Sequence, residues 1–223
     1  MSHYKEKYHF IDYKSIIVII GLYTKEGITI RIRKQPSVRK KELATQAMHA
    51  FSKKGYEHTS IQDIADAAGV AHGLIYKYFK NKQELYEYAL QVFIDDVVTQ
   101  YLELFSKSNF TLENMVSNTF DLLNTDRNKD FFSYLHKKGN ETVYRTIMQK
   151  ILNKMVPSLA KMVEPLGKKE GYQINDIPVF LSFVFGGQIE IMIKTPHEKQ
   201  LEVKKKILKY IRVLLEASKK NPL

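Results

Sequence analysis

The sequence of 223 residues predicts an all-α fold, and three observations favour it. Apolar residues recur at helical spacing from about Val38 onward. Two short helical segments flank a glycine, Gly69, between Thr59 and Phe79, which is the arrangement of a helix-turn-helix. Beyond Lys82 the spacing of apolar residues is almost wholly helical. We therefore expect a small N-terminal unit of three helices joined to a larger helical domain.

The first 36 residues do not share this helical pattern. Tyr13–Tyr23 is rich in β-branched and apolar residues, and Ile28–Arg33 alternates with period two, which favours a hairpin. An isolated hairpin is marginally stable in water. The expected divisions are a weakly ordered appendage over 1–36, a helix-turn-helix domain over 37–82, and a second domain over 83–223. Two alternatives could explain the pattern of residues 1–36: a strand pair docked on a partner, or a start site assigned too far upstream.

Composition restricts the possible function. The formal net charge of +11 favours a polyanionic partner, whereas a solvated basic linker is the simpler alternative. The basic residues cluster before and within the first helix, at Arg31, Arg33, Lys34, Arg39, Lys40, Lys41, Lys53 and Lys54. The absence of cysteine excludes disulfides, thiolate metal sites and cysteine nucleophiles.

Motifs of catalysis and membrane insertion are not found in the sequence. There is no Gly-x-Ser-x-Gly elbow, no His-Glu-x-x-His pair and no phosphate-binding glycine loop, so we expect neither an enzyme nor a bound cofactor or metal. The longest strongly apolar run, Ile16–Leu22, is far shorter than the roughly 20 residues of a membrane-spanning helix. We expect a cytoplasmic protein with no membrane partner.

The helix-turn-helix is specified by local chemistry. Ser60 or Thr59 can cap the second helix, and Asp63 three residues after Ser60 resembles a capping box. The expected inner face contains Ile61, Ile64, Ala65 and Ala68, and small residues there allow two helices to cross closely. Gly69 can adopt the positive φ of the turn, and Val70 and Ile75 should hold the third helix against the second.

The outward residues of the third helix are His72, Gly73, Tyr76 and Lys77, with Tyr78 near its end. Such a helix can lie in the DNA major groove. His72 can donate to guanine, and Gly73 would allow close backbone approach. Tyr76, Tyr78 and Lys82 carry donors suited to phosphates, and Gln62 is a second candidate for base contact. The alternatives are a solvated histidine and lysines, and core packing for the two tyrosines.

These residues resemble the TetR family of bacterial transcriptional regulators over about fifty positions. The resemblance rests on Ala47-x-x-x-Phe51-x-x-x-Gly55-Tyr56, Thr59-Ser60-Ile61-x-x-Ile64-Ala65-x-x-Ala68-Gly69-Val70 and Gly73-x-Ile75-Tyr76-x-Tyr78-Phe79-x-Asn81-Lys82-x-x-Leu85. It implies DNA contacts from Ser60, Gln62, His72, Gly73, Tyr76, Tyr78 and Lys82. Residues 1–36 have no counterpart in the family pattern, and the arginine often found near Gln62 is absent.

The second domain reads as a series of helices. One long helix is expected over Glu84–Ser106, and others over 111–124, 129–138, 141–166, 175–193 and 198–219. Pro157 should kink or break the fourth segment. Val179–Ile193 is apolar on nearly every side, which predicts burial within the monomer or a surface shared with another subunit. The family resemblance implies that the last two helices pair with their mates in a four-helix dimer interface.

Aromatic and flexible apolar residues in this domain could line a ligand pocket. The candidates are Tyr101, Phe105, Phe120, Tyr144, Met148 and Phe183, although each could equally be an ordinary core residue. His136, Asn118, Gln188 and Glu190 are possible polar anchors, but periodicity does not show which of them face inward.

Together these patterns predict a helix-turn-helix DNA-binding domain joined to a ligand-binding and dimerisation domain. The expected function is that of a homodimeric, sequence-specific repressor, released from double-stranded DNA with a palindromic operator by a small-molecule effector. The alternative is a helical ligand-binding or scaffold protein whose basic arm binds nucleic acid non-specifically.

Overall fold

The computed structural model describes residues 35–106, 110–115, 125 and 128–219. The chain divides into two units, Met1–Pro36 and Ser37–Leu223. The helices described below belong to the second unit, except that the first of them begins at Pro36. The hairpin expected within 1–36, from Tyr13 to Arg33, lies outside the described residues. The described α-helices are α1 (Pro36–Lys54), α2 (Ile61–Ala67), α3 (His72–Tyr78), α4 (Lys82–Phe105), α5 (Lys129–Leu135), α6 (Glu141–Lys169), α7 (Ile177–Lys194) and α8 (Gln200–Ala217). The all-α prediction is confirmed.

The first three helices form a small unit around α1. Leu43, Ala47 and Phe51 recur on one side of α1 and are at most 2% exposed. Gly55 follows with φ +83°, a backbone conformation that glycine adopts without strain. The chain can therefore turn sharply after α1, and α2 and α3 pack against each other beyond that turn.

The remaining helices pack around α6. This helix contacts α4 on one side and α7 on another, and α7 also contacts α8. A turn of 3₁₀ helix, His197–Lys199, leads into α8. The core runs without interruption from the helix-turn-helix unit into these helices. Of the segment expected over 111–124, most lies outside the described residues.

The expected break at Pro157 is wrong, because α6 continues through Pro157 and Pro165. Both prolines are exposed, and so are the residues four positions earlier, Asn153 and Lys161, whose carbonyls lose their helical partner. Water can hydrogen-bond these carbonyls, which makes the missing bonds tolerable.

Helix α7 is not buried all round within one chain. Leu181, Val184 and Phe185 face the core, whereas Val179 and Phe183 are 63% and 68% exposed. Of the two explanations for its apolar composition, burial inside the monomer is therefore contradicted. A surface shared with another subunit remains.

Candidate nucleic-acid interface

The N-terminus of α2 is held by a reciprocal capping box. Ser60 Oγ accepts a hydrogen bond from Asp63 N at 3.0 Å, and an Asp63 oxygen accepts from Ser60 N at 2.8 Å. Thr59 is not the cap, because it is buried and its hydroxyl donates to the Gly55 carbonyl. Lys54 Nζ lies 2.5 Å from Asp63 Oδ1. The Lys54 ammonium, with the Ser60 hydrogen bonds, holds the pKa of Asp63 well below its usual range.

The turn between α2 and α3 depends on a glycine and a small crossing residue. Gly69 has φ +61°, as expected for the corner of the motif. Ala65 and Ile75 are completely buried, so the two helices meet through side chains that reach no solvent. Ile75 is the one buried residue of α3, and Ala71 provides no side-chain cap. Packing against α2 therefore fixes the direction in which α3 points.

The outward face of α3 comprises His72, Gly73, Tyr76 and Lys77, all of which are exposed. Tyr76 is 50% exposed although it is a large aromatic residue. Its ring meets the His72 imidazole edge to face, with 5.1 Å between centroids. This side of the helix therefore presents ring nitrogens, a phenol and an ammonium to solvent.

Packing among the described residues does not explain a glycine at position 73. A Cβ placed on Gly73 would meet none of their heavy atoms within 4 Å, and the φ of Gly73 is not in the positive region. Glycine within a helix costs about 0.5–1 kcal/mol relative to alanine. Its presence at the exposed start of α3 is consistent with close approach of another molecule to the backbone.

The two candidates at the start of α2 already have partners. Gln62 is exposed, but its Nε2 donates to Asp66 Oδ1 at 2.7 Å, one turn further along α2. The Ser60 hydroxyl belongs to the capping box. Either side chain must rearrange, or use its remaining hydrogen-bonding capacity, to contact a nucleic acid.

Tyr78 ends α3, and Lys82 begins α4 four residues further along the chain. Tyr78 is partly buried and packs on the core, so only part of its side chain faces outward. Lys82, the first residue of α4, places its ammonium 4.3 Å from the centre of the Tyr56 ring. Tyr56 in turn donates to Gln83 at 2.9 Å. The sequence around Tyr56 does not indicate its contact with Lys82, because the two residues lie 26 positions apart.

Comparisons with known proteins agree with this geometry. The profile described as bacterial regulatory proteins, tetR family, matches residues 43–89. The HTH-type transcriptional repressor KstR2 of Rhodococcus jostii is 30% identical over 155 residues, which cover 67% of this chain and 74% of that protein. The chain belongs to the TetR family. It is accordingly a DNA-binding transcriptional regulator, with the helix-turn-helix domain that its sequence predicts.

Solved structures of TetR-family members share the fold. A TetR-family transcriptional regulator from Mesorhizobium loti superposes with a TM-score of 0.58 at 20% identity, over 82% of this chain and 96% of that one. FadR from Bacillus subtilis, solved in complex with stearoyl-CoA, gives a TM-score of 0.52 at 20% identity, over 75% and 95% of the two chains. The likeness extends well beyond the helix-turn-helix and includes the larger helical domain.

The larger domain of this TetR-family regulator contains an apolar cavity between α4, α6 and α7. Its volume is about 40 Å³. The lining residues are Tyr101 of α4, Tyr144, Met148, Ile151, Leu152 and Met155 of α6, and Phe185, Gln188, Ile189 and Met192 of α7. Hydrocarbon, thioether and aromatic groups thus form nearly the whole wall.

The six residues predicted to line a pocket do not all lie in this cavity. Tyr101, Tyr144 and Met148 line this cavity. Phe105 is buried outside the lining and stacks on Tyr101, with 5.8 Å between ring centroids. Phe183 is 68% exposed on the opposite side of α7. Phe120 lies outside the described residues.

Of the possible polar anchors, Gln188 is the one found in the cavity wall. Glu190 faces away and forms an ion pair with Arg145 on α6, with 2.6 Å between Oε1 and Nε. That guanidinium holds the pKa of Glu190 below its usual value. Asn118 lies outside the described residues.

Helix α5 joins the cavity to the DNA-binding unit. His136 follows α5, donates from Nδ1 to the Phe132 carbonyl at 2.6 Å, and packs edge to face on Tyr144 with 4.8 Å between centroids. At the other side of α5, a Cβ placed on Gly55 would lie 3.5 Å from the Tyr134 ring. The segment formed by α5 and His136 is therefore in contact both with Tyr144, which lines the cavity, and with the turn after α1.

Within the part of the chain that the structure describes, no group of three or more His, Cys, Asp or Glu side chains could hold a metal ion. In the same part, α7 is the one helix long and apolar enough to cross a membrane. Core helices of soluble proteins satisfy the same criteria of length and composition.

Proposed function

We propose that this regulator is a homodimeric repressor that binds a palindromic operator through α3 and leaves it when a small molecule enters the α4–α6–α7 cavity. The observation that carries the proposal is the outward face of α3, where a glycine that packing does not require lies beside an exposed imidazole. Repression is the role that the name of its Rhodococcus relative gives to that protein.

The proposed DNA-binding side chains form two groups, according to whether they would contact base edges or phosphates. His72 and Gly73 begin α3 and would approach the base edges, with Gln62 of α2 as a second base contact after it releases Asp66. Phosphates would be bound by Ser60, Tyr76, Lys77, Tyr78 and Lys82. In this arrangement the phosphate contacts orient the protein, and the start of α3 reads the sequence.

A second copy of the same chain would cover the exposed apolar surface of α7 and α8. Phe183 and Val179 on α7, with Tyr210 and Val213 on α8, are each at least 60% exposed, which is unusual for large apolar side chains. The two helices pack against each other, so both belong to one end of the domain. Pairing of two such surfaces would hold two copies of α3 about 34 Å apart, or a multiple, as a palindromic site requires.

Release of DNA would follow from a shift between two dimer states. An effector that binds one dimer state more tightly than the other shifts the equilibrium toward that state, by the difference between its two binding free energies. Because Tyr134 of α5 lies against the turn at Gly55 and His136, which follows α5, packs on Tyr144, the state selected at the cavity alters the position of the DNA-binding unit. The proposed limits of the two domains are 37–82 and 83–223, and the protein would act in the cytoplasm beside the chromosome.

Enrichment of bound fragments from the source genome, with the full-length protein, tests this function. We expect a palindromic motif among the enriched fragments, with operator binding that remains much tighter than random-DNA binding as salt rises. A basic arm that binds nucleic acid non-specifically would instead yield no motif, and both affinities would fall together. That second outcome would overturn the proposal.

A further inference from the structure

The cavity between α4, α6 and α7 contains the buried side-chain amide of Gln188. Gln188 is 5% exposed. Neither its Nε2 nor its Oε1 has a hydrogen-bond partner among the described residues, and both atoms are shielded from solvent. Buried polar groups in folded proteins are nearly always hydrogen-bonded, so two such atoms on one side chain need an explanation.

Among the described residues, the remainder of the cavity wall is uncharged, because its lining contains no lysine, arginine, histidine, aspartate or glutamate. Burial raises the pKa of Tyr144 to about 12, so its phenol is neutral throughout the physiological pH range. An ionised group placed here would lose its hydration and find no opposite charge. The cavity therefore disfavours carboxylates and ammonium ions alike.

On the basis of the proposed function, we propose that the effector is a largely hydrocarbon molecule that presents an uncharged group, both donor and acceptor, to Gln188. A carboxamide meets this requirement in one plane, because the Gln188 Nε2 donates to its oxygen and its N–H donates to Oε1. A hydroxyl meets it with one oxygen. A ketone, an ester or a carboxylate accepts from Nε2 but leaves Oε1 without a donor.

The cavity can enlarge to admit such a molecule. Its present volume of about 40 Å³ is far below that of a typical small-molecule site, which is roughly 300–1,000 Å³. Three of its lining residues, Met148, Met155 and Met192, are unbranched and flexible. Their side chains can change rotamer to make room for a hydrocarbon chain while the helices keep their backbone contacts.

Four probes with the same eight-carbon chain test the inference: octanamide, 1-octanol, octanoate and octylammonium. Their binding to the full-length protein is measured by isothermal titration calorimetry at pH 7.5. We expect octanamide and 1-octanol to bind about tenfold tighter than either charged probe. The Gln188→Leu variant should lose about tenfold in octanamide affinity. Gln149→Leu, which replaces an exposed glutamine on α6, should bind all four probes as the wild type does.

Two results would overturn the inference. One is octanoate binding as tightly as octanamide, and the other is an unchanged octanamide affinity in Gln188→Leu. Failure of all four probes to bind would also overturn it, because the cavity must admit a hydrocarbon chain. If Gln188→Leu does not fold, Gln188→Glu is the second variant, and its carboxylate should shift the preference toward octylammonium.

Failure of this inference can be distinguished from failure of the proposed function. Operator binding by the wild type without any probe tests the function alone. If the operator is bound but the four probes bind without preference, only the identity of the effector group is wrong. If the preference for octanamide holds but no sequence is selected from genomic DNA, the site binds such ligands and the proposed function fails.

Discussion

Replacement of Gly73 by alanine should change the stability of the protein and its affinity for DNA in opposite directions. A Cβ at this position meets no atom of the described residues within 4 Å, so the added methyl group causes no clash with them. Alanine in place of a helical glycine stabilises by about 0.5–1 kcal/mol. For a chain of this length that corresponds to a rise in melting temperature of about 1–4 °C.

The same methyl group should weaken operator binding. Under the proposed arrangement, the start of α3 approaches the base edges closely and leaves no room for a side chain at position 73. Loss of a base-reading contact costs about 1–3 kcal/mol, which is a rise of roughly 5- to 150-fold in Kd. Thermal unfolding monitored by circular dichroism and operator titration by fluorescence anisotropy measure the two effects on the same preparation.

A matched variant separates stability from binding. Ser158→Ala replaces an exposed serine within α6, far along the chain from α3, and should also raise stability through helix propensity. Its operator affinity should equal that of the wild type. If Gly73→Ala binds the operator as tightly as Ser158→Ala does, the glycine does not provide access to DNA and the reasoning is refuted.

Four further perturbations test other parts of the proposal. His72→Ala should weaken operator binding by about 1–3 kcal/mol and relax base preference at one position per half-site. The control is His49→Ala, which replaces an exposed histidine on α1. An unchanged base preference in His72→Ala would contradict the role of His72. Lys82→Ala should weaken all DNA sequences alike and reduce the salt dependence of binding by about one counterion, so selective loss at one sequence would argue against a phosphate contact. Phe183→Asp places a charge on the exposed face of α7 and should give a folded monomer in sedimentation velocity. A dimer that persists in this variant would show that Phe183 of α7 is not part of the interface. The ion pair and hydrogen bonds that lower the pKa of Asp63 contribute stability that is fully present well above its unfolded pKa of about 3.9 and is lost as pH falls through the folded value. The difference in unfolding free energy between wild type and Asp63→Asn should therefore stay constant from pH 7 to about 5 and shrink progressively below that. A difference that has already vanished at pH 5 would refute this.

Local chemistry was sufficient to predict the helix-turn-helix. The capping box needs only Ser60 and Asp63 three positions apart, and both of its hydrogen bonds are present. The turn needs a residue that tolerates positive φ, and Gly69 adopts it. These features depend on residues within one turn of each other, so the sequence contains all the information that determines them.

Features that depend on distant residues could not be predicted in the same way. The contact of Lys82 with Tyr56 and the inward orientation of Gln188 depend on how helices are placed in space. The continuity of α6 through Pro157 depends on exposure of the proline to solvent, which periodicity alone did not reveal. Both the buried and the exposed side of α7 are apolar, so its composition alone could not show which side faces the core.

Helix α4 connects the two proposed sites, and its length determines how an effector could act. Lys82 is its first residue and Tyr101 lines the cavity, so 19 residues, or about 29 Å of helix, separate them. A tilt of about 5° at the cavity would displace the Lys82 end by about 2–3 Å. Hydrogen bonds to phosphate tolerate only a few tenths of an ångström around 2.7–3.2 Å. A small rearrangement at the cavity would therefore be sufficient to break operator contacts while α2 and α3, joined by Ala65 and Ile75, move as one folded unit.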